Sequence, residues 1–234
     1  MAGYDTAATI QSVYSSADST YGTPGFWIRY ASPSQTGPIN SSQANTQAEV
    51  QAARASGATG LGLISSPLQT NLSGSQSEGA ADGQAFLSSI DQVNTNSPTL
   101  TMPSTLIAWL DCEIGTSLSA AYWQGWAGEL NSGKNVRAGL YCSPCGPNPS
   151  CSSIAADSGS AYGVWSATPE PCNGATVRNP PAFAADSCSG CGHGGAPSTV
   201  LWQFAEQGAC HLTSTVDMDV GANGFNYANY CLQL

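Results

Sequence analysis

Positive charge is what this sequence has least of: five Lys and Arg stand against fifteen Asp and Glu in 234 residues, a formal net charge of -10 at pH 7. A polyanion would meet repulsion in place of the counterion release that drives nucleic-acid binding, so nucleic acid is excluded as a partner. Charge of either sign is scarce, at 9% of residues, and Ser, Thr, Asn and Gln fill the surface positions that Lys and Glu usually hold. Long apolar runs are missing too. No window approaches the roughly 18 consecutive apolar residues of a membrane helix, because Gly, Ser, Gln and Asn interrupt each run, and no membrane partner is expected. No basic and then apolar leader precedes the first globular stretch at Ala2, so Met1 reads as the start of a mature or recombinant form. No internal repeat is visible.

Cysteine is abundant by contrast. Eight of the nine cysteines (Cys142, Cys145, Cys151, Cys172, Cys188, Cys191, Cys210 and Cys231) fall after residue 140, leaving Cys112 alone in the first half. Such density points to disulfides, an oxidising compartment and a secreted protein. The expectation is four disulfides that staple the later loops and the tail at Cys231, with Cys112 a buried thiol. Cys142-x2-Cys145 and Cys188-x2-Cys191, with His193 behind, also have the spacing of a zinc ribbon. The secreted-type composition favours disulfides over metal, and His193 and His211 read as loop residues. No cofactor is expected.

Short β-rich runs alternate with helix-like stretches, the pattern of a parallel α/β sheet or barrel. Eight candidate strands stand out: Ala2 to Thr6, Phe26 to Ala31, Thr59 to Ser65, Leu106 to Glu113, Val136 to Cys142, Tyr162 to Ala167, Thr199 to Phe204 and Thr215 to Val220. Gln43 to Ser56 reads as a helix closed by Gly57. Leu118, Tyr122, Trp126 and Leu130 give a second helix its apolar stripe. Between the third and fourth strands a Gly/Ser bridge, Asn71 to Gly83, leads into a helix from Gln84 to about Val93. Ser143 to Pro197 reads as Cys- and Pro-rich loop elaboration of one domain spanning residues 1–234. The fold expected is a single (β/α)8 barrel, with eight helices or fewer, and a monomer.

Five of the fifteen acids sit inside apolar, strand-like runs: Asp5 in AGYDT, Asp111 and Glu113 in LIAWLDCEI, and Asp217 and Asp219 in TVDMDV. A carboxylate there has lost hydration and persists only when paired, hydrogen-bonded or protonated, the environment that also tunes a catalytic acid. In a (β/α)8 barrel the C-terminal strand ends build the site, and these acids close the first, fourth and eighth strands. Alternation puts Asp111 and Glu113 on one face, their Cα atoms about 6.6 Å apart, with Cys112 on the other. A carboxyl pair about 5.5 Å apart suits retaining glycoside hydrolysis. The clustered acids should raise the pKa of Glu113 and leave it the proton donor. Isolated acids past strand ends are more often caps or turn residues, and Asp219 taken alone reads that way. Trp165 and Trp202, near late strand ends, are candidate sugar platforms, and Tyr141 and Asp219 further candidate substrate contacts; Trp109 and Trp126 read as core. Asn40-Ser41-Ser42 and Asn71-Leu72-Ser73 are glycosylation sequons, of use only in a eukaryotic secretory pathway.

The opening GYDT, then FWIRYAS, AEVQAARASG, GLGLIS, LIAWLDCE, VRAGLYC, VWSA, LWQF and VDMDV follow in order the pattern of glycoside hydrolase family 25 lysozymes. The chain resembles still more closely the related glycoside-hydrolase-like barrels of the domain of unknown function 1906 family, over nearly its whole length. The resemblance implies Glu113 as general acid/base and Asp111 as the residue that orients the substrate 2-acetamido group, the internal nucleophile. Asp5 and Asp217 would line the same cleft. The implied substrate is the β-1,4 bond between N-acetylmuramic acid and N-acetylglucosamine in peptidoglycan. The sequence departs from the lysozymes at Asp219, where they commonly carry Asn, at the third strand end, here LISS, and in the Cys-rich insertion. A non-catalytic glycan-binding or cell-wall-associated barrel and a hydrolase of another polysaccharide are the competing readings.

Overall fold

The strands of this chain are buried on both faces, as parallel strands between a filled interior and a helical layer must be. The structure, a computed structural model, describes residues 1–32, 37–112, 117–133, 135–143, 162–167, 174–184, 198–206 and 215–234. The strands are β1 (Ala2–Thr6), β2 (Phe26–Tyr30), β3 (Gly60–Ser65), β4 (Leu106–Cys112), β5 (Val136–Cys142), β6 (Gly163–Ala167), β7 (Thr199–Ala205), β8 (Asp217–Gly221) and a short β9 (Leu232–Gln233). β1 through β7 pair in parallel, each with the next, and β8 bridges β7 and β1 to close an eight-stranded barrel.

β8 departs from the expected all-parallel barrel. It runs antiparallel to both neighbours, with Asp5 opposite Asp217 and Gln203 opposite Asp219. A parallel neighbour needs a crossover of roughly a dozen residues or more, normally a helix. The eleven residues between Ala205 and Asp217 fall short of that length.

Four helices are present among the described residues, α1 (Ile10–Tyr21), α2 (Gln43–Ala55), α3 (Gln76–Asn96) and α4 (Ala120–Ser132). α1, absent from the sequence expectation, buries Ile10, Val13, Ala17 and Tyr21 on one stripe. α2 starts where the Ser42 hydroxyl accepts from the Asn45 amide at 3.1 Å, and Gly57 follows its end at φ 83°. α3 begins eight residues before the expected start. Ser75 and Glu78 form a reciprocal capping box there, the Ser75 amide donating to Glu78 Oε2 at 2.7 Å. The glycines that read as a linker are packing positions: a methyl on Gly79 would collide with the Tyr122 carbonyl, and one on Gly125 with the carbonyl of Gln76. α3 and α4 thus cross backbone to backbone.

Alternation splits the barrel core in two. Outward-facing Tyr4, Trp27, Leu63, Leu110, Cys112 and Cys142 pack beneath the helices, while Ile28, Ile107, Trp109 and Trp165 fill the interior. The bottom of the interior is sealed by a 3-10 turn, Tyr227–Tyr230, and by β9, which pairs antiparallel with the start of β3. Gly60 and Gly62 on the inner side of β3 leave the space that Cys231 and Tyr227 occupy. Trp109 Nε1 donates to the Tyr227 hydroxyl at 2.6 Å.

No disulfide is formed among the described residues, and Cys231, where a staple is expected, carries a free thiol. Its thiol is buried under the barrel and donates to the Tyr227 carbonyl at 3.3 Å. Cys112 and Cys142 lie opposite each other on β4 and β5, both buried. Cys145, Cys151, Cys172, Cys188, Cys191, Cys210, His193 and His211 lie outside the described residues. Of the sequon residues, Asn40 is buried and donates to Gln92 at 3.0 Å, which leaves no room for a glycan.

Candidate active site at the barrel mouth

Strand alternation dictates which side chains reach the interior. On β1 Tyr4 turns out to the helices, so Asp5 turns in; on β4 Trp109 turns in, and so does Asp111. Asp5 lies one residue from the C-terminal end of β1, and Asp111 one residue from that of β4. Asp217 opens β8, although it is expected at the close of the strand; the reversed direction of this strand sets it beside Asp5. Asp5, Asp111 and Asp217 therefore meet at the mouth where the parallel strands end. Glu113, the expected acid/base, follows β4 directly in the sequence and lies outside the described residues.

The acids gather among aromatic rings and amides. Asp5 is 8% exposed and Asp219 wholly buried. Gln203 Nε2 donates to Asp5 Oδ2 at 3.1 Å, and the Gln203 carbonyl oxygen accepts from the Tyr141 hydroxyl at 3.1 Å. Trp165 Nε1 donates to Asp219 Oδ1 at 2.8 Å. Arg29, on the neighbouring β2, supplies no counter-charge: it turns outward and forms a fully buried ion pair with Glu49 of α2 at 2.6 Å.

Burial, and then the charge of Asp217, hold the Asp5 carboxyl well above its ordinary range, against a smaller lowering by hydrogen bonds from Asp219 and Gln203. Burial and the adjacent Asp5 do the same to Asp219. The Tyr141 phenol is pushed up by burial first and then by Asp5, Tyr30, Asp111 and Asp217, so it stays protonated and donates. Beside the mouth, Ser32, Ser65, Asn71 and Asp82 line a recess of about 170 Å³ between the ends of β2 and β3 and helix α3.

Three expectations are corrected by these positions. Asp219 is not a turn residue; it sits within β8 with its carboxyl inside the barrel. Trp165 is 1% exposed, its ring 4.3 Å from that of Tyr141, and it orients Asp219 where a sugar platform was expected. Trp202 faces outward, away from the barrel interior, between Phe183 and Phe204, equally buried. Gln203 is a site residue that the sequence does not single out, although it stands in the run LWQF. An amide carries no charge to draw attention inside an apolar strand.

No family model matches the chain, and no curated protein matches it. Among solved structures, an uncharacterized protein of B. stearothermophilus aligns over 99% of both chains with a TM-score of 0.74 and 17% identity. That likeness is one of fold. The modular autolysin LytC of Streptococcus pneumoniae, in complex with a synthetic peptidoglycan ligand, aligns with 93% of this chain at a TM-score of 0.49 and 10% identity. The modular Cpl-1 endolysin, complexed with a peptidoglycan analogue, aligns with 93% at 0.49 and 15%. The chain spans 46% and 53% of the lengths of these two proteins.

Proposed function

We propose that this chain is a secreted, retaining glycoside hydrolase acting on an N-acetylated glycan, with the β-1,4 bond between N-acetylmuramic acid and N-acetylglucosamine of peptidoglycan as its substrate. The observation that carries the reading is the meeting of Asp5, Asp111 and Asp217, from three separate strands, at one mouth of the barrel. Carboxyls collected in a buried, aromatic-lined interior serve chemistry that both donates a proton and stabilises a cationic transition state. The order of motifs from GYDT to VDMDV, resembling the lysozymes, supports the same reading.

In this mechanism Glu113 protonates the glycosidic oxygen as that bond breaks. Asp111 orients the 2-acetamido group, whose carbonyl oxygen bonds to the anomeric carbon. Glu113, now ionised, then takes a proton from the water that opens the cyclic intermediate, so configuration is retained. Asp5 and Asp217 set the negative potential of the cleft.

The test is release of reducing ends from purified peptidoglycan. Wild type is expected to release them, and Glu113→Gln and Asp111→Asn each to lower the rate by about 10²- to 10⁴-fold, the usual loss for acid–base groups. A wild type that binds peptidoglycan and cleaves neither it nor other N-acetylated glycans replaces this reading with a binding barrel. An undiminished Glu113→Gln removes that residue from its role.

A further inference from the structure

One oxygen at the centre of the site has no hydrogen-bond donor. Asp219 Oδ1 accepts from Trp165 Nε1 at 2.8 Å, but Oδ2 is buried without a partner. An ionised carboxylate sealed from water needs donors on both oxygens, and here half of its charge would face nothing. The neighbouring polar group is itself a carboxyl: Asp5, on the adjacent strand β1, lies within hydrogen-bonding reach of the Asp219 carboxyl. Two carboxyls in that contact cannot both ionise, and one proton must lie between them.

We infer that Asp219 is a neutral carboxylic acid at neutral pH, that its Oδ2 hydroxyl donates to Asp5, and that it is the positioning residue for the Asp5 carboxylate. Donor supply decides which of the two holds the proton. Asp5 keeps a small opening to solvent and accepts from Gln203 Nε2 at 3.1 Å, with the Gln203 amide turned the right way by the Tyr141 hydroxyl at 3.1 Å. Asp219 has no exposure and the indole alone. The proton belongs on the oxygen without a donor, where it converts an orphan acceptor into a second donor for Asp5.

The ionisable groups around the pair reinforce this. Asp217 from β8, Asp111 from β4, Tyr141 from β5 and Tyr227 from the barrel floor face it, all of them acids or phenols. Burial and these neighbours hold both carboxyls of the pair above their ordinary range. Asp5 is thereby fixed by two donors, one from β7 and one from β8. The consequence for catalysis rests on the reading that Asp5 belongs to a hydrolytic cleft; the protonation of Asp219 does not.

Asparagine is the discriminating substitution, since its amide donates to Asp5 and its carbonyl accepts from Trp165, as the neutral acid does. In infrared spectra at pH 7, recorded in a Glu113→Gln background so that the proposed general acid contributes no second band, the protein should show the carbonyl band of a protonated carboxylic acid. Asp219→Asn should lose it and Asp217→Asn should keep it. Thermal melts supply the second readout. A raised carboxyl stabilises the fold below its unfolded pKa and loses that contribution as pH rises through the folded value. Wild type should therefore lose melting temperature as pH rises above the ordinary carboxylate range, Asp219→Asn should lose less, and Asp219→Ala should melt lower than both throughout. Where hydrolysis is measurable, Asp219→Asn should stay within a few-fold of wild type and Asp219→Ala should fall at least about tenfold. Absence of the band, or an Asn variant as damaged as the Ala variant, overturns the inference. A chain with the band that cleaves no glycan overturns the proposed function and leaves Asp219 as assigned.

Discussion

The Arg29–Glu49 pair is the most heavily connected ionic contact among the described residues, and it lies away from the acids of the mouth. Arg29 reaches both Glu49 oxygens and also donates to the carbonyls of Thr6, Ala7 and Gly37. Glu49 accepts in turn from the Ile10 amide and the Asn45 side chain. With its donors and acceptors met, the pair ties the end of β1, the start of α1 and the middle of α2 together. Removing one charge strands the other inside the protein, which typically costs about 3–5 kcal/mol. Glu49→Gln is expected to lose that much in urea unfolding with little change in the shape of the mouth. Both residues stand in the motifs FWIRYAS and AEVQAARASG, yet the sequence does not show them as partners. Their meeting requires knowing that Arg29 turns outward and which helix covers it. Trp165 is hidden for the same kind of reason: nearness to a strand end suggests exposure, whereas alternation turns its ring into the barrel to hold Asp219.

At the level of elements, the α3–α4 crossing separates two kinds of glycine. Gly125 is buried against the Gln76 carbonyl, whereas a methyl on Gly128 of the same helix would meet nothing within 4 Å. Gly125→Ala should destabilise by about 1–3 kcal/mol through overpacking, despite the gain in helix propensity. Gly128→Ala should stabilise by up to about 1 kcal/mol, the full propensity difference. Denaturant melts of the two variants check both signs. The glycines also explain the misjudged start of α3, for Gly79 and Gly83 look like a flexible bridge unless the facing helix is known. The eight barrel strands are more legible, since β1 and β5 match their expected limits and the other six shift by two residues or fewer, while the short β9 has no counterpart among the expected strands. Continuous apolar runs identify a strand buried on both faces. They say nothing of its direction, because alternation is the same read either way, and so the reversal of β8 was hidden. That reversal is why Asp217 reaches the mouth from the start of its strand.

The whole molecule has an acidic mouth and a closed floor. Tyr227 and Cys231 plug the floor, and burial pushes the Cys231 thiol above its ordinary range. Such a thiol is inert until the floor opens. Iodoacetamide followed by peptide mass mapping should leave Cys231 unmodified in the native protein and label it at the rate of unfolding when urea is added; prompt native labelling would show the floor to be loose. The closure between β1 and β8 bears on how the barrel is made. Of the barrel strands β1 is made before the others, and β2 covers one of its edges early, but Ala2 to Asp5 find their other partners only in Val220 to Asp217 of the eighth strand. Until then the growing sheet carries two open edges, one on β1 and one on its latest strand, each a row of unpaired peptide groups able to recruit another chain. The antiparallel strand that brings Asp217 and Asp219 to the site also caps both edges, so assembly of the carboxyl cluster and protection from aggregation are completed together, when the last barrel strand docks.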